Sequence, residues 1–282
     1  MKTMLIPVDF TATSENAINY AIAWSKAYEY KRIILLKAMY DSMFDDIIAS
    51  EGYVNQDYLT KERSDKLEAL AALSTKLSAE VGPDIKVATI ASELPLLRAI
   101  LETIQDEQPE LVLVGSDNFS YSGNSFVAAN VISIAKISPV RVLIVPSAFK
   151  YQPLKQLLVP VDFNRLSDLS RLLDVYQAYP IKWHEIKLLV LNVDPKEKYL
   201  YPDEQFEQTK TRLQQNLKNF NYEIYYSNNK NIIRGIMRFS TENKVELIVA
   251  LPGKHSFLYA LTHKSISQAI YENATEPVLI LK

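Results

Sequence analysis

Glycine is scarce in this chain. It occurs 6 times in 282 residues, where average usage of about 7% would give roughly 20. Loops that cradle phosphate depend on glycine for close backbone approach, so a glycine-rich nucleotide loop has little to be built from. Cysteine is absent, which excludes disulfides, thiolate metal sites and cysteine nucleophiles. An excess of one charge is lacking too: 31 Lys+Arg stand against 33 Asp+Glu, a net of −2. That balance gives no reason to expect nucleic acid or an anionic membrane as a partner. No apolar run reaches the roughly 20 residues that span a bilayer. Met1-Lys2-Thr3 leads straight into an apolar strand, without the character of a signal peptide. The expectation is a soluble, cytoplasmic protein. Familiar catalytic motifs are missing as well: there is no Gly-x-Ser-x-Gly elbow, no Walker loop and no His-Glu-x-x-His helix. His184, His255 and His263 are the only histidines, and the last two make a weak metal pair across a loop. No catalytic residue and no metal site is expected.

What is present is a repeat. Met4-Leu5-Ile6-Pro7-Val8-Asp9-Phe10 returns as Leu157-Leu158-Val159-Pro160-Val161-Asp162-Phe163, a shift of 153 residues. A short apolar run ending in Pro-x-Asp reads as a buried strand leaving a sheet at its carboxyl edge. There the aspartate faces the crevice where open α/β sheets take ligands.

The first copy then alternates. An apolar helical stripe runs to about Tyr30, behind N-cap candidates between Thr11 and Asn16. A strand at 33–38 follows, then an irregular stretch at 41–57. A helix with Leu67, Leu70, Leu73 and Leu77 on one face stops at Gly82-Pro83. A strand at 85–90, a helix at 94–106 with Pro95 in its first turn, a strand at 111–116, a helix at 124–137 and a strand at 140–145 complete the unit. The second copy repeats the plan, with strands at 156–161, 186–193, 222–226, 246–250 and 277–281, a helix carrying Leu169, Leu172, Leu173 and Tyr176, and helices at 203–220 and 232–243. The late strands match at a shift of 136, so the second copy is 17 residues shorter. The fold class expected is α/β, with two doubly wound, Rossmann-like parallel sheets. Domain one is 1–148, the linker 149–154 and domain two 155–282.

The opening Pro-Val-Asp-Phe, the strand Glu110-Leu111-Val112-Leu113-Val114-Gly115-Ser116 and the closing Val142-Leu143-Ile144-Val145-Pro146 resemble a universal stress protein. Two copies in one chain resemble the tandem branch of that family. The resemblance implies five-stranded parallel sheets paired through their last strands as an intrachain pseudo-dimer. It also implies a stress-response binding module with a possible adenine nucleotide, ATP or AMP. In nucleotide-binding members the fourth strand is followed by Gly-x2-Gly-x9-Gly-(Ser/Thr). The first copy keeps Gly115 and Ser116, but the frame then falls on Asn118, Ala128 and Ala129. The second copy reads Leu251, Lys254, Lys264 and Ser265, with Gly253 one place off the frame. Each lost glycine adds a Cβ where phosphate would approach, while Lys254 and Lys264 could rebuild a phosphate pocket from side chains.

By this resemblance the ligand-contacting positions are Pro7, Val8, Asp9, Ala38, Gly115, Ser116, Asn118 and Ala129 in the first copy. In the second they are Pro160, Val161, Asp162, Gly253, Lys254, Lys264 and Ser265. The ligand would be an adenine nucleotide or another small phosphate-bearing molecule. An unidentified protein partner and a homodimer of the tandem chain are further expectations. Two alternatives stand beside this reading. One is a nucleotide-independent scaffold with vestigial crevices. The other is a weak ATPase, which rests on family analogy alone.

Overall fold

The computed structural model describes residues 1–40, 56–117, 125–161, 163, 185–251 and 275–282. In the first copy the strands are β1 (Thr3–Pro7), β2 (Arg32–Ala38), β3 (Lys86–Ser92), β4 (Leu111–Ser116) and β5 (Arg141–Pro146). In the second they are β6 (Gln156–Val161), β7 (Lys187–Val193), β8 (Asn221–Ser227), β9 (Leu247–Ala250) and β10 (Val278–Ile280). The helices are α1 (Ala12–Ala27), α2 (Gln56–Val81), α3 (Leu96–Glu107), α4 (Phe126–Ala129), α5 (Val131–Ile137), α6 (Glu204–Leu217) and α7 (Ile232–Asn243).

All ten strands form one sheet in the order β3-β2-β1-β4-β5-β10-β9-β6-β7-β8. Within each copy the pairing is parallel, and β5 meets β10 antiparallel. Each copy therefore has the 3-2-1-4-5 order of a doubly wound sheet, with its switch point between the first and fourth strands. The seam has a particular register: Leu143 lies opposite Leu279, Val142 opposite Ile280 and Ile144 opposite Val278. At the shift of 136, Leu279 is the counterpart of Leu143 itself. The two copies thus meet by the same patch on both sides, as in an isologous dimer, but inside one chain.

Alternation along the strands feeds two cores, one on each face. On one face Met4, Ile6, Ile33 and Leu35 pack under α1 and α2. On the other Leu5, Ile34, Leu36, Val112 and Val114 pack under α3 and α5. Both cores run through the seam, the first by way of Leu143 and Leu279, the second by way of Val142 and Ile280.

The local signals account for most boundaries. Thr11 caps α1 by accepting from the Ser14 amide, and Gly82 ends α2 at φ 83°, a conformation with little penalty only for glycine. Two expectations shift. Pro95 precedes α3 as its N-cap instead of standing in the first turn. The helix expected at 124–137 is two short helices meeting at Asn130. The shortening of the second copy lies between its second and third strands. Those strands begin at Arg32 and Lys86 in the first copy, against Lys187 and Asn221 in the second. The intervening helix is 26 residues long in the first copy and 14 in the second.

One consequence is testable. Because Leu279 is buried in a core shared by both copies, Leu279→Ala should cost about 3 kcal/mol. The loss should appear in both halves. Trp24 lies in the first and Trp183 in the second, so single-tryptophan variants can report each separately in urea. Both midpoints should fall together; an unmoved Trp24 transition would mean the halves unfold independently.

Candidate functional site

The switch point of the first copy places Asp9, just past β1, beside the end of β4. Pro7 and Val8 are buried beneath it, Pro7 opposite Leu36 of β2, with the Val8 amide bonded to the Leu36 carbonyl. Ala38 is buried at the end of β2. Gly115 and Ser116 end β4, opposite Val145 and Pro146, and Ala129 is exposed at the end of α4. Pro160 and Val161 end β6 in the equivalent place. Asn118, Asp162, Gly253, Lys254, Lys264 and Ser265 lie outside the described residues, as do the three histidines.

The Asp9 carboxylate is fully engaged by its own chain. Oδ1 accepts from the Thr11 amide at 3.3 Å, the Thr11 hydroxyl at 2.6 Å and the Ser14 hydroxyl. Oδ2 accepts from the Ser125 hydroxyl at 2.6 Å and the Val127 amide at 3.0 Å. Ser125 in turn accepts from the Ala128 amide, capping α4. Asp9 therefore ties the end of β1 to the first turns of both α1 and α4. Burial pushes its carboxyl upward, but the bonds from Ser125, Ser14, Thr11 and Val127 outweigh that and hold it below the usual aspartate range.

Gly115 has a second reason to be glycine. A Cβ there would stand 2.6 Å from the Thr13 carbonyl oxygen and 2.8 Å from its Cγ2, so β4 and the start of α1 can touch only at a residue without a side chain. Thr13 then donates to Asp117 at the beginning of the loop that would hold phosphate. A carboxylate at that point repels an anionic ligand. Phe10, next to Asp9, adopts φ 61° and is 40% exposed, while Lys37 from β2 sits 5.5 Å above its ring.

The second crevice is built otherwise. Phe163, the counterpart of Phe10, is only 4% exposed. Its ring packs against Phe206 at 4.8 Å and Tyr226 at 5.8 Å, and Tyr226 stacks on Tyr199. The neighbouring strands differ too. Where Lys37 faces Ala91 in the first copy, Asn192 faces Tyr226 in the second. Asn192 is buried and donates to the Val161 carbonyl at 3.1 Å. No group of three His, Asp or Glu capable of holding a metal occurs among the described residues. No described helix is long and apolar enough to cross a membrane.

The sequence pattern missed Lys37, Asp117 and Ser125, and marked Thr13 and Ser14 only as N-cap candidates. Ser14 and Ser125 had a visible signal, since both are hydroxyls beside a helix start.

Two outcomes follow from this geometry. Asp9→Asn puts an amide NH2 or a weaker acceptor against five donors, and should lower unfolding free energy at pH 7 by about 2 kcal/mol. The folded carboxyl is depressed, so its stabilisation is complete above the unfolded value of about 3.9. It is lost as pH falls through the folded value. The gap between wild type and Asp9→Asn, measured by urea unfolding, should therefore close in acid and stay constant from pH 5 to 8. Gly115→Ala should destabilise by about 2 kcal/mol through overpacking against Thr13; unchanged stability would mean α1 can retreat from β4.

Comparison with known proteins is consistent with this geometry. A model of the universal stress protein family matches residues 1–146. A universal stress protein structure from Archaeoglobus fulgidus is similar at 17% identity, covering 99% of this chain and 96% of that one, with a TM-score of 0.68. A Pseudomonas aeruginosa protein described as a universal stress protein is similar at 14% identity, covering 100% and 93%, with a TM-score of 0.59. A universal stress protein solved in complex with cAMP covers 52% of this chain at 18% identity and a TM-score of 0.37. Among curated proteins no match is found. With a matched first half and a doubly wound sheet in each copy, this chain belongs to the universal stress protein family.

Proposed function

We propose that this chain is a tandem stress-response module that acts as a paired scaffold, and that its first crevice takes no adenine nucleotide. The observation that carries this reading is the saturated Asp9 carboxylate. Both oxygens already accept from five donors within the chain, so a ribose hydroxyl would have to displace a bond to Thr11, Ser14, Ser125 or Val127. Asp117 adds negative charge on the phosphate side, and Phe10 with Lys37 occupies the mouth. In this reading Asp9 and Gly115 serve the packing of α1 and α4.

A second reading has its own support in the sequence. Lys254, Lys264 and Ser265 bring two cations and a hydroxyl to the loop after β9, a chemistry suited to a phosphate ester. Any small phosphate-bearing ligand, ATP, AMP and cAMP included, would go there and not to the first copy. Asp9 makes a poor general base for turnover of ATP, since its carboxyl is held below the usual aspartate range and both of its oxygens already accept hydrogen bonds.

Calorimetric titration of the full chain with ATP, AMP and cAMP separates the readings, together with mass spectrometry of what leaves the protein on denaturation. The scaffold reading expects no bound nucleotide and no heat at millimolar concentration. Binding abolished by Lys254→Ala with Lys264→Ala, yet kept in Ser125→Ala, would establish the second-copy pocket. Binding abolished by Ser125→Ala would overturn the closed first crevice.

A further inference from the structure

The connector between the copies is held along one helix. Asn16, Tyr20, Trp24 and Tyr28 stand four residues apart, a single stripe on α1 and its C-cap. The buried Asn16 amide donates to the Pro146 carbonyl at 2.9 Å and the Phe149 carbonyl at 3.1 Å. Tyr20 meets the Tyr151 ring edge-on at 5.3 Å and lies 6.5 Å from the Phe149 ring. Trp24 stacks on Tyr20 and packs on Tyr28 at 4.3 Å, and Tyr28 hydrogen-bonds Tyr151. The amide of Ser147 is tied to the carbonyl of Ser116 at the end of β4. Farther on, the Glu246 carboxylate accepts from the Lys155 and Gln156 amides. The segment from Pro146 to Gln156 is thus a strap fixed at both ends, not a loose tether.

The stripe belongs to the first copy alone. At the shift of the shared Pro-Val-Asp-Phe motif its counterparts are Leu169, Leu173, Gln177 and Ile181. The amide and the three aromatic rings appear only in the copy whose last strand leads into a connector.

The same helix is anchored at its other end by the crevice. Thr11 and Ser14, which start α1, both donate to Asp9, and Asn16 is only two residues beyond Ser14. Thr13 touches Gly115, whose neighbour Ser116 holds Ser147. We propose that α1 is a relay, in which the closed state of the Asp9 cluster and the docking of the Pro146–Tyr151 strap stabilise one another. Opening of the cluster loosens the strap and uncovers Tyr20 and Trp24, and release of the strap loosens the cluster. The coupling is a property of these contacts whether or not either crevice takes a ligand.

Coupling between sites is reciprocal, and that makes the test strict. Native-state hydrogen exchange of the full chain reads the strap at the Ser147 and Phe149 amides, and the cluster at the Val127 amide. Asn16→Leu, which installs the second-copy residue, removes both strap donors without touching Asp9. Ser125→Ala removes one bond to Asp9 without touching the strap, and is a milder change than Asp9→Asn if that variant fails to fold. Loss of one such bond should speed local opening about tenfold. The relay expects Asn16→Leu to speed exchange at Val127, and Ser125→Ala to speed it at Ser147 and Phe149. Ile236→Val, on α7 of the second copy and distant from both ends, controls for a general loss of stability and should leave exchange at all three amides unchanged. If each variant loosens only its own end, or if Ile236→Val moves both ends equally, the relay is wrong.

Discussion

The antiparallel pairing of β5 with β10 is the constraint on which the rest of the molecule depends. A five-stranded parallel sheet with helices on both faces still has an open edge, and an open edge is a line of unpaired backbone groups. Here the last strand of each copy covers the last strand of the other, and the side chains of that seam belong to both cores at once. Leu143 and Leu279 close one face, and Val142 and Ile280 the other. Each copy supplies what its partner lacks, so neither has an independent core boundary at the seam. The switch points then lie on either side of a common rigid sheet.

On that sheet the same four-residue motif meets two different fates. In the first copy Phe10 turns outward in a left-handed backbone conformation and shelters Lys37. In the second, Phe163 turns inward among aromatic rings. The motif is shared, but what the neighbouring strands bring beside it is not: lysine and alanine in one copy, asparagine and tyrosine in the other. A lysine stem and its charge need a route to solvent or a ring face. Asparagine can satisfy its NH2 on a strand-end carbonyl and remain buried.

The fold was legible because hydrophobic patterning and the internal repeat agreed at every level. Four-residue identity at one shift and strand identity at another already defined two copies and a deletion. The two shifts bracketed the deletion between the first and fourth strands, the span that holds the irregular 41–57 stretch of the first copy, but not the loss of helix, because helix length leaves no motif behind. The strand at 111–116 and the helix at 232–243 could be read directly, while the break at Asn130 could not. The site was legible in position only. Asp9 and Gly115 stood out as motif residues, and both lie at the switch point. Their partners come from Ser125, 116 residues away from Asp9, and from Thr13, 102 residues before Gly115. Contacts of that span depend on how α1 and α4 settle on the sheet, which local periodicity does not encode.

The placement of Leu143 against its own counterpart has a consequence for how the two crevices could come to differ. In a symmetric pair made of two identical chains, any change at a switch point is made twice, and both sites must tolerate it. Joining the copies end to end keeps the geometry of the pair but removes that obligation. One crevice can be filled with rings and the other latched by a carboxylate, while the seam that needs like to face like stays nearly symmetric. Linkage in one chain turns a rule of equality between sites into freedom for each to specialise.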